Sequence, residues 1–158
     1  MIFLTVLETA HVVVGAAIAT KIANPALAIP LALGSHFVLE KVPHWNPHLN
    51  REKEKFGKIT PRSTYIVIAD VLTSALVILY FTSRVLPNTG HALTIFFASV
   101  ASILPDVIEG PYYFWNMRSK FIERWIAFQK SIQADVNPLP GLVTQFLTII
   151  AAFLWTLR

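Results

Sequence analysis

Five long apolar stretches constrain the fold of this chain more than any other feature. A helix that crosses a lipid bilayer needs about 20 mostly apolar residues. Stretches near this length cover residues 2–23, 26–42, 63–82, 91–107 and 139–157. Asn24 and Pro25, and later the segment 83–90, supply turn signals between them. The pattern predicts an all-α, polytopic membrane protein with about five transmembrane helices, built as a single integral membrane domain over residues 1–158.

The composition agrees with a membrane protein and limits its chemistry. Hydrophobic residues make up 54% of the chain and charged residues only 14%, whereas soluble domains are about 25% charged. The chain has no cysteine, which excludes disulfides, thiolate ligands and cysteine nucleophiles. The opening MIFLTVLETAH has no basic segment and no small-residue cleavage site. We therefore expect a retained helix at the start rather than a signal peptide.

Basic residues mark the expected cytoplasmic side. They are concentrated in the polar loop 43–62 and in the segment 112–135, where aromatic residues recur at helical spacing. The segment 112–135 is predicted to be an interfacial amphipathic helix and a candidate surface for a protein partner. An excess of Lys and Arg in both connections places them, and the N-terminus, in the cytoplasm. The net charge of +4 fits this topology and anionic lipid, and we expect no nucleic-acid partner.

Ionisable side chains gather at one depth of the predicted bundle. With this topology, eight of them fall in the cytoplasmic half: Glu8, His11, His36, Glu40, His44, Asp70, Asp106 and Glu109. A charged group near the bilayer centre costs about 2.5 to 3.5 kcal/mol, so these groups must pair, bind a ligand or reach water. Spacings of three or four residues place six of them as pairs on one helix face: Glu8 with His11, His36 with Glu40, and Asp106 with Glu109. Imidazole and carboxylate together suit a divalent metal such as zinc, manganese or iron.

Most members of this group, and the two remaining histidines, also have a structural explanation. The alternatives are interhelical hydrogen-bonded pairs for Glu8–His11 and His36–Glu40, a packing role for Asp70, the start of a loop for Glu109, a solvated surface position for His48 and a helix-capping position outside the site for His91. Polar side chains in membrane helices often serve packing alone. The sequence leaves these alternatives open.

Four short motifs resemble a family of small bacterial membrane-bound metal-dependent hydrolases, related to zinc-dependent phospholipase C. They are TAHVVVGAAIA near the start, LALGSHFVLEKVPH at the end of the second stretch, Asp70 within the third, and ASVASILPD at 98–106. The resemblance implies a bacterial inner-membrane location. It also implies a metal, zinc first, held by the following residues: His11, His36, Glu40 and Asp106. Glu40 stands where the family has aspartate, and the family's THS element is not found.

A lipid phosphoester is the substrate class that this resemblance and the location favour. In the expected mechanism Asp70 or Glu109 acts as general base, and His44 acts as a further ligand or as proton donor to the leaving alkoxide. Four basic loop residues are candidates to hold an anionic lipid head group: Lys53, Lys55, Lys58 and Arg62. The main alternative is a non-catalytic membrane subunit that docks a partner through residues 112–135. A di-iron oxidoreductase would want a second Glu-x-x-His element, and a transporter would want inverted repeats.

Overall fold

The computed structural model describes residues 8–158, and the regular secondary structure in that range is helical. The helices are Glu8–Lys21 (α1), Pro25–Leu39 (α2), Leu49–Phe56 (α3), Pro61–Arg84 (α4), Thr89–Val107 (α5), Gly110–Phe114 (α6), Lys120–Ile132 (α7) and Pro138–Leu157 (α8). The predicted all-α fold is therefore confirmed for the described residues.

Short polar residues cap the starts of α2 and α4. The Asn24 side chain accepts a hydrogen bond from the N–H of Ala26 at 3.0 Å, and Pro25 occupies the first position of α2. At the start of α4, the Thr60 hydroxyl accepts from the N–H of Ser63 at 3.3 Å. Both are N-caps followed by a proline whose φ suits the first helical turn. The turn predicted at Asn24 and Pro25 is thus confirmed.

Three of the described helices are long and apolar enough to cross a membrane. They are α4 with 24 residues, α5 with 19 and α8 with 20. α2 is apolar but has only 15 residues, a length of about 22 Å against a hydrocarbon core of about 30 Å. The first predicted stretch begins at residue 2, outside the described residues, and α1 covers its part from Glu8 onward. Helices of membrane-spanning character are therefore present, but their length does not confirm a count of five.

α1 lies at the centre and packs against α2, α4, α5 and α8. The core around it is built mainly from alanine: Ala16, Ala19, Ala28, Ala32 and Ala98, with Phe81 and Ile95. Small side chains allow close approach of backbones, and such approach supplies the van der Waals contact that holds helices together in a bilayer. At Gly15 a Cβ atom would lie 2.8 Å from the Cβ of Ser102 in α5. α1 and α5, which carry His11 and Asp106, are thereby held close together.

The polar loop 43–62 is partly helical and includes a buried lysine. It contains α3, which ends where Gly57 adopts a left-handed φ of 69°. Lys53 on this helix is buried, and its Nζ donates to the carbonyl of Tyr113 at 3.3 Å and lies 5.5 Å from the centre of the Tyr112 ring. The Lys53 ammonium therefore joins α3 to α6. It is buried in this contact and is not exposed for binding a lipid head group.

The prediction of one helix over 112–135 was wrong in its extent. The chain breaks after α6, and Asn116 adopts a left-handed φ of 58°. Ser119 then caps α7, its hydroxyl accepting from the N–H of Ile122 at 3.1 Å. α7 is amphipathic, but its buried side includes a polar residue, Gln129. α7 therefore packs onto the polar interior with one face and leaves Phe121 exposed on the other.

Candidate metal centre

Four of the side chains singled out in the sequence meet at one point of the structure. His11 from α1, His36 from α2, Glu40 at the end of α2 and Asp106 from α5 each offer one ligand atom, and these atoms all lie within 4.8 Å of one another. His11, His36 and Glu40 are buried, while the Asp106 side chain is 28% exposed. Two imidazoles and two carboxylates are a donor set that zinc, manganese and iron accept.

Helix geometry explains how distant parts of the chain supply these groups. His36 and Glu40 are one turn apart on the same face at the end of α2. The turn at Asn24 sends α2 back along α1, so the His11 ring stacks on the His36 ring with centroids 4.5 Å apart. The Nε2 of His11 lies 3.4 Å from Oε1 of Glu40. Asp106 approaches from the last turn of α5, its Oδ2 at 3.7 Å from the Nδ1 of His36.

Backbone and amide groups orient the His36 ring. Its Nδ1 lies 3.0 Å from the carbonyl oxygen of Ser102, and its Nε2 lies 3.0 Å from the amide nitrogen of Gln129. Because a carbonyl can only accept, Nδ1 carries the proton and the lone pair is on Nε2. Metal-binding histidines commonly donate their other N–H to a carbonyl or carboxylate in this way. The same Gln129 amide donates to Oδ1 of Asp106 at 3.3 Å, so one residue of α7 holds two of the four candidates.

His44 lies at the edge of the cluster with a similar orientation. Its Nδ1 is 2.8 Å from the carbonyl oxygen of Val42, and its Nε2 is 3.8 Å from Oε1 of Glu40 and 3.4 Å from the amide nitrogen of Gln133. The His44 backbone is held to the chain after α7 by hydrogen bonds with Ala134 and Val136 at 3.1 and 3.0 Å. His44 is therefore buried and positioned beside Glu40, rather than lying in a solvated loop.

Acidic groups outnumber their partners around this point. The Glu8 carboxyl group contacts that of Asp106, and the buried atoms without a hydrogen-bond partner among the described residues include Glu8 Oε2 and His11 Nδ1. Burial, and to a smaller extent the nearby charge of Asp106, raise the pKa of Glu109 to about 8. A hydrogen bond with Tyr113 acts in the opposite direction but does not offset them. A buried carboxylate or imidazole without a partner is costly. A bound cation would offset the surplus of negative charge, so the residues present fit a divalent metal.

Asp70 is buried, and its carboxylate contacts the backbone of α1 rather than the four-residue cluster. Its carboxylate accepts from the N–H of Glu8 at 2.6 Å and from the hydroxyl of Thr9 at 2.8 Å. The Asp70 carboxylate thus supplies an acceptor to the backbone N–H groups of Glu8 and Thr9. The geometry joins Asp70 of α4 to the first described turn of α1. It matches the packing alternative for Asp70 and gives no direct support to a role as ligand or general base.

The remaining histidines lie apart from the cluster. The Nδ1 of His48 is 3.1 Å from Oδ2 of Asp135, and about a third of its side chain is exposed. The Nε2 of His91 is 2.8 Å from the carbonyl oxygen of Ala19, near the opposite end of α1 from His11. His91 therefore lies outside the site, as expected from the sequence. His48 is half-buried and paired rather than freely solvated.

Two glutamines were missed by the sequence reasoning. Gln129 contacts both His36 and Asp106, and Gln145 of α8 is 4% exposed with its Oε1 lacking a hydrogen-bond partner among the described residues. Gln145 lines a small cavity of about 20 Å³ together with His11 and His44, enough for about one water molecule. Neutral amides carry no strong sequence signal, although a glutamine inside the last apolar stretch was a hint.

Comparison of the chain with protein-family models, with curated proteins and with solved structures finds no match. The assignment of a function therefore depends on the geometry and chemistry of this cluster.

Proposed function

We propose that this protein is a membrane-embedded, metal-dependent hydrolase that cleaves a phosphoester in a lipid or lipid-linked substrate. The observation that carries the proposal is the convergence of His11, His36, Glu40 and Asp106 from three helices onto one buried point. In the proposed site these four residues hold a divalent cation, zinc first. The sequence resemblance to membrane-bound metal-dependent hydrolases implies the same four ligands and supports the same reaction class.

When bound, the cation would supply a water of lowered pKa and polarise the phosphoryl oxygen. The protein's own groups do the rest. His36 is held in one tautomer by the Ser102 carbonyl, which leaves its Nε2 lone pair facing the Gln129 amide. His44 remains the candidate for a further ligand or for the proton donor to the leaving alkoxide, because it is held beside the cluster with its Nε2 3.8 Å from the Glu40 carboxylate. Glu109 is the candidate base that remains once Asp70 is engaged at the start of α1.

Metal analysis tests the proposal directly. Protein purified in detergent should contain close to one divalent ion per chain by elemental mass spectrometry, and His36→Ala should lose most of it. His91→Ala is the matched control, since His91 contacts a backbone carbonyl outside the cluster. Wild-type protein should also release phosphate or a phosphorylated head group from vesicle lipid, whereas His36→Ala should not. Equal metal content in wild type, His36→Ala and His91→Ala would refute the proposed metal site.

We also propose that the chain crosses the bacterial inner membrane about five times, with its N-terminus in the cytoplasm. The support is the charge pattern together with the three long apolar helices. Because the chain has no native cysteine, single cysteines can map it. Lys55→Cys and Lys120→Cys should react with a membrane-impermeant reagent only from the cytoplasmic side, and Leu86→Cys only from the other side. Labelling of positions 55 and 86 from one side would refute this topology.

A second candidate function is favoured by the exposed aromatic side of α7. Phe121 is 65% exposed and Phe128 46%, and both lie beside Trp125 in ring contact. A non-catalytic subunit could use this face to dock a partner. The metal analysis separates the two functions, because a docking subunit requires no bound ion and no phosphoesterase activity.

A further inference from the structure

The side-chain amide of Gln129 lies inside the candidate metal centre. Gln129 belongs to α7 and is buried, and its amide nitrogen lies 3.0 Å from Nε2 of His36 and 3.3 Å from Oδ1 of Asp106. Among the four candidate ligands, His36 is fully buried and Asp106 is the most exposed. Gln129 therefore bridges the innermost ligand and the ligand nearest to the surface.

The partners of this amide determine which of its two ends faces the cluster. Nδ1 of His36 donates to the carbonyl of Ser102, so Nε2 can only accept, and a carboxylate oxygen of Asp106 also accepts. Both contacts therefore require a donor, which is the NH₂ group of Gln129. The Oε1 of Gln129 is buried without a hydrogen-bond partner among the described residues. The amide thus satisfies two acceptors of the cluster while its own acceptor stays unpaired, which is costly.

A cation in the cluster needs the same lone pair of His36 that the amide uses. A bond from zinc to a histidine nitrogen is about 2.0 to 2.1 Å long. Because the Gln129 nitrogen lies 3.0 Å from Nε2 on the side of that lone pair, a cation bound there would be only about 1 Å from it. The two cannot occupy this space together. Nε2 of His36 therefore binds either the amide or the cation.

The backbone of α7 is held in place on both sides of Gln129. Trp125, one turn earlier, donates from its Nε1 to the carbonyl of Pro105 at 2.9 Å. Just after α7, the N–H of Ala134 donates to the carbonyl of Glu40 at 2.8 Å. These contacts join α7 to α5 and to the end of α2. Movement of the amide is therefore a rotation of the glutamine side chain, whose last torsion is broad, and does not require the helix to leave.

We propose that Gln129 competes with the cation for the metal centre and thereby sets the affinity of the site for metal. Its NH₂ group holds His36 and Asp106 together in the place of a cation, and metal binds when the side chain turns this group away. The competition presupposes the proposed metal centre but not the reaction catalysed there. Loss of the NH₂ group should raise the affinity for metal, whereas loss of a ligand should lower it.

Metal affinity in variants of Gln129 tests the competition. Gln129→Leu and Gln129→Met both remove the N–H donors and keep a side chain of similar size. Ser131→Ala is the control on the same helix, because the Ser131 hydroxyl donates to the carbonyl of Phe128 within α7 at 2.7 Å. Each variant, wild type and His36→Ala are titrated in detergent with zinc, and separately with manganese, against a chromophoric chelator. Melting temperatures are measured without metal and at saturating metal.

Gln129→Leu and Gln129→Met should bind metal about tenfold more tightly than wild type, because the cation no longer displaces two hydrogen bonds. Without metal, both variants should melt below wild type, since two acceptors of the cluster have lost their donor. Saturating metal should reverse this loss, because tighter binding stabilises the folded state more. Ser131→Ala should match wild type in affinity. Gln129→Met provides the test if Gln129→Leu folds poorly.

Unchanged metal affinity in the Gln129 variants would overturn the proposal. Weaker binding would also overturn it, by showing that Gln129 supports the ligands rather than competing with the cation. In either case, metal bound by wild type but not by His36→Ala would leave the proposed metal centre intact. Absence of zinc and manganese from wild type and from both Gln129 variants would overturn the metal centre and the competition together.

Discussion

Replacement of Gly15 by alanine tests whether close contact between α1 and α5 holds the metal cluster together. The added Cβ would lie 2.8 Å from both the Cβ and the Oγ of Ser102, and 3.0 Å from the carbonyl oxygen of Ala98. Ordinary contacts between carbon atoms are about 3.5 to 4.0 Å. The Ala98 contact is with backbone, so rotation of a side chain cannot relieve it. The helices must move apart by at least about 0.7 Å.

Two opposing contributions determine how much Gly15→Ala changes the free energy of unfolding. Overpacking of this kind costs about 1 to 3 kcal/mol of the free energy of unfolding, while alanine in place of glycine inside a helix returns about 0.5 to 1 kcal/mol. Gly34→Ala in α2 is the matched control, because nothing lies within 4 Å of its Cβ position. Gly34→Ala should therefore gain about 0.5 to 1 kcal/mol. The difference between the two variants should equal the overpacking, about 1 to 3 kcal/mol.

Reversible unfolding by SDS in mixed micelles, followed by circular dichroism, measures both variants beside wild type. Separation of α1 from α5 also moves His11 away from Asp106. Gly15→Ala should therefore bind metal more weakly, while Gly34→Ala keeps wild-type affinity. Equal stability of the two variants would refute the contact between α1 and α5, and a destabilised Gly15→Ala with unchanged metal affinity would refute its role in the site.

Two further predictions concern carboxylates outside the four-residue cluster. Asp70→Asn protein should keep its bound metal and lose about 1 to 2 kcal/mol of its free energy of unfolding, because an NH₂ group replaces one of the two oxygens that accept from α1. Loss of metal in this variant would show that Asp70 belongs to the metal site. Burial alone would raise the pKa of Glu52, but hydrogen bonds from Thr60 and Ser63 hold it below its ordinary value of 4.5. A lowered pKa in the folded state means that the stabilisation is fully present above pH 4.5 and is lost as the pH falls below it. Melting temperatures should fall less below that pH in Glu52→Gln than in wild type, and a Glu54→Gln control with the same flattened profile would contradict this.

Much of the candidate site followed from spacing and depth along the sequence. His36 and Glu40 had to share a face because they are one turn apart. Their depth near the end of an apolar stretch matched that of Asp106 and His11 in other stretches. Because isolated charges in a bilayer are costly, we expected these four side chains to lie close together. The structure brings these four together.

Asp70 shows what depth alone does not determine. It lies at a similar depth to the other acids, yet its carboxylate faces the first turn of α1 and contacts Glu8 and Thr9. Residue spacing gives a side chain's direction about the axis of its own helix. The rotation of that helix against its neighbours is set by packing, here by small residues such as Gly15 and by the alanine core.

Composition and hydrophobic patterning by themselves predicted an all-α chain with helices apolar enough to span a membrane and with ionisable side chains gathered at one depth of the bundle. Only the tertiary structure placed the α7 residue Gln129 between His36 and Asp106, and buried Lys53 against α6. Both residues come from segments whose polarity predicted exposure. A polar side chain can be buried wherever the fold supplies hydrogen-bond partners, and those partners come from parts of the chain that local sequence does not connect.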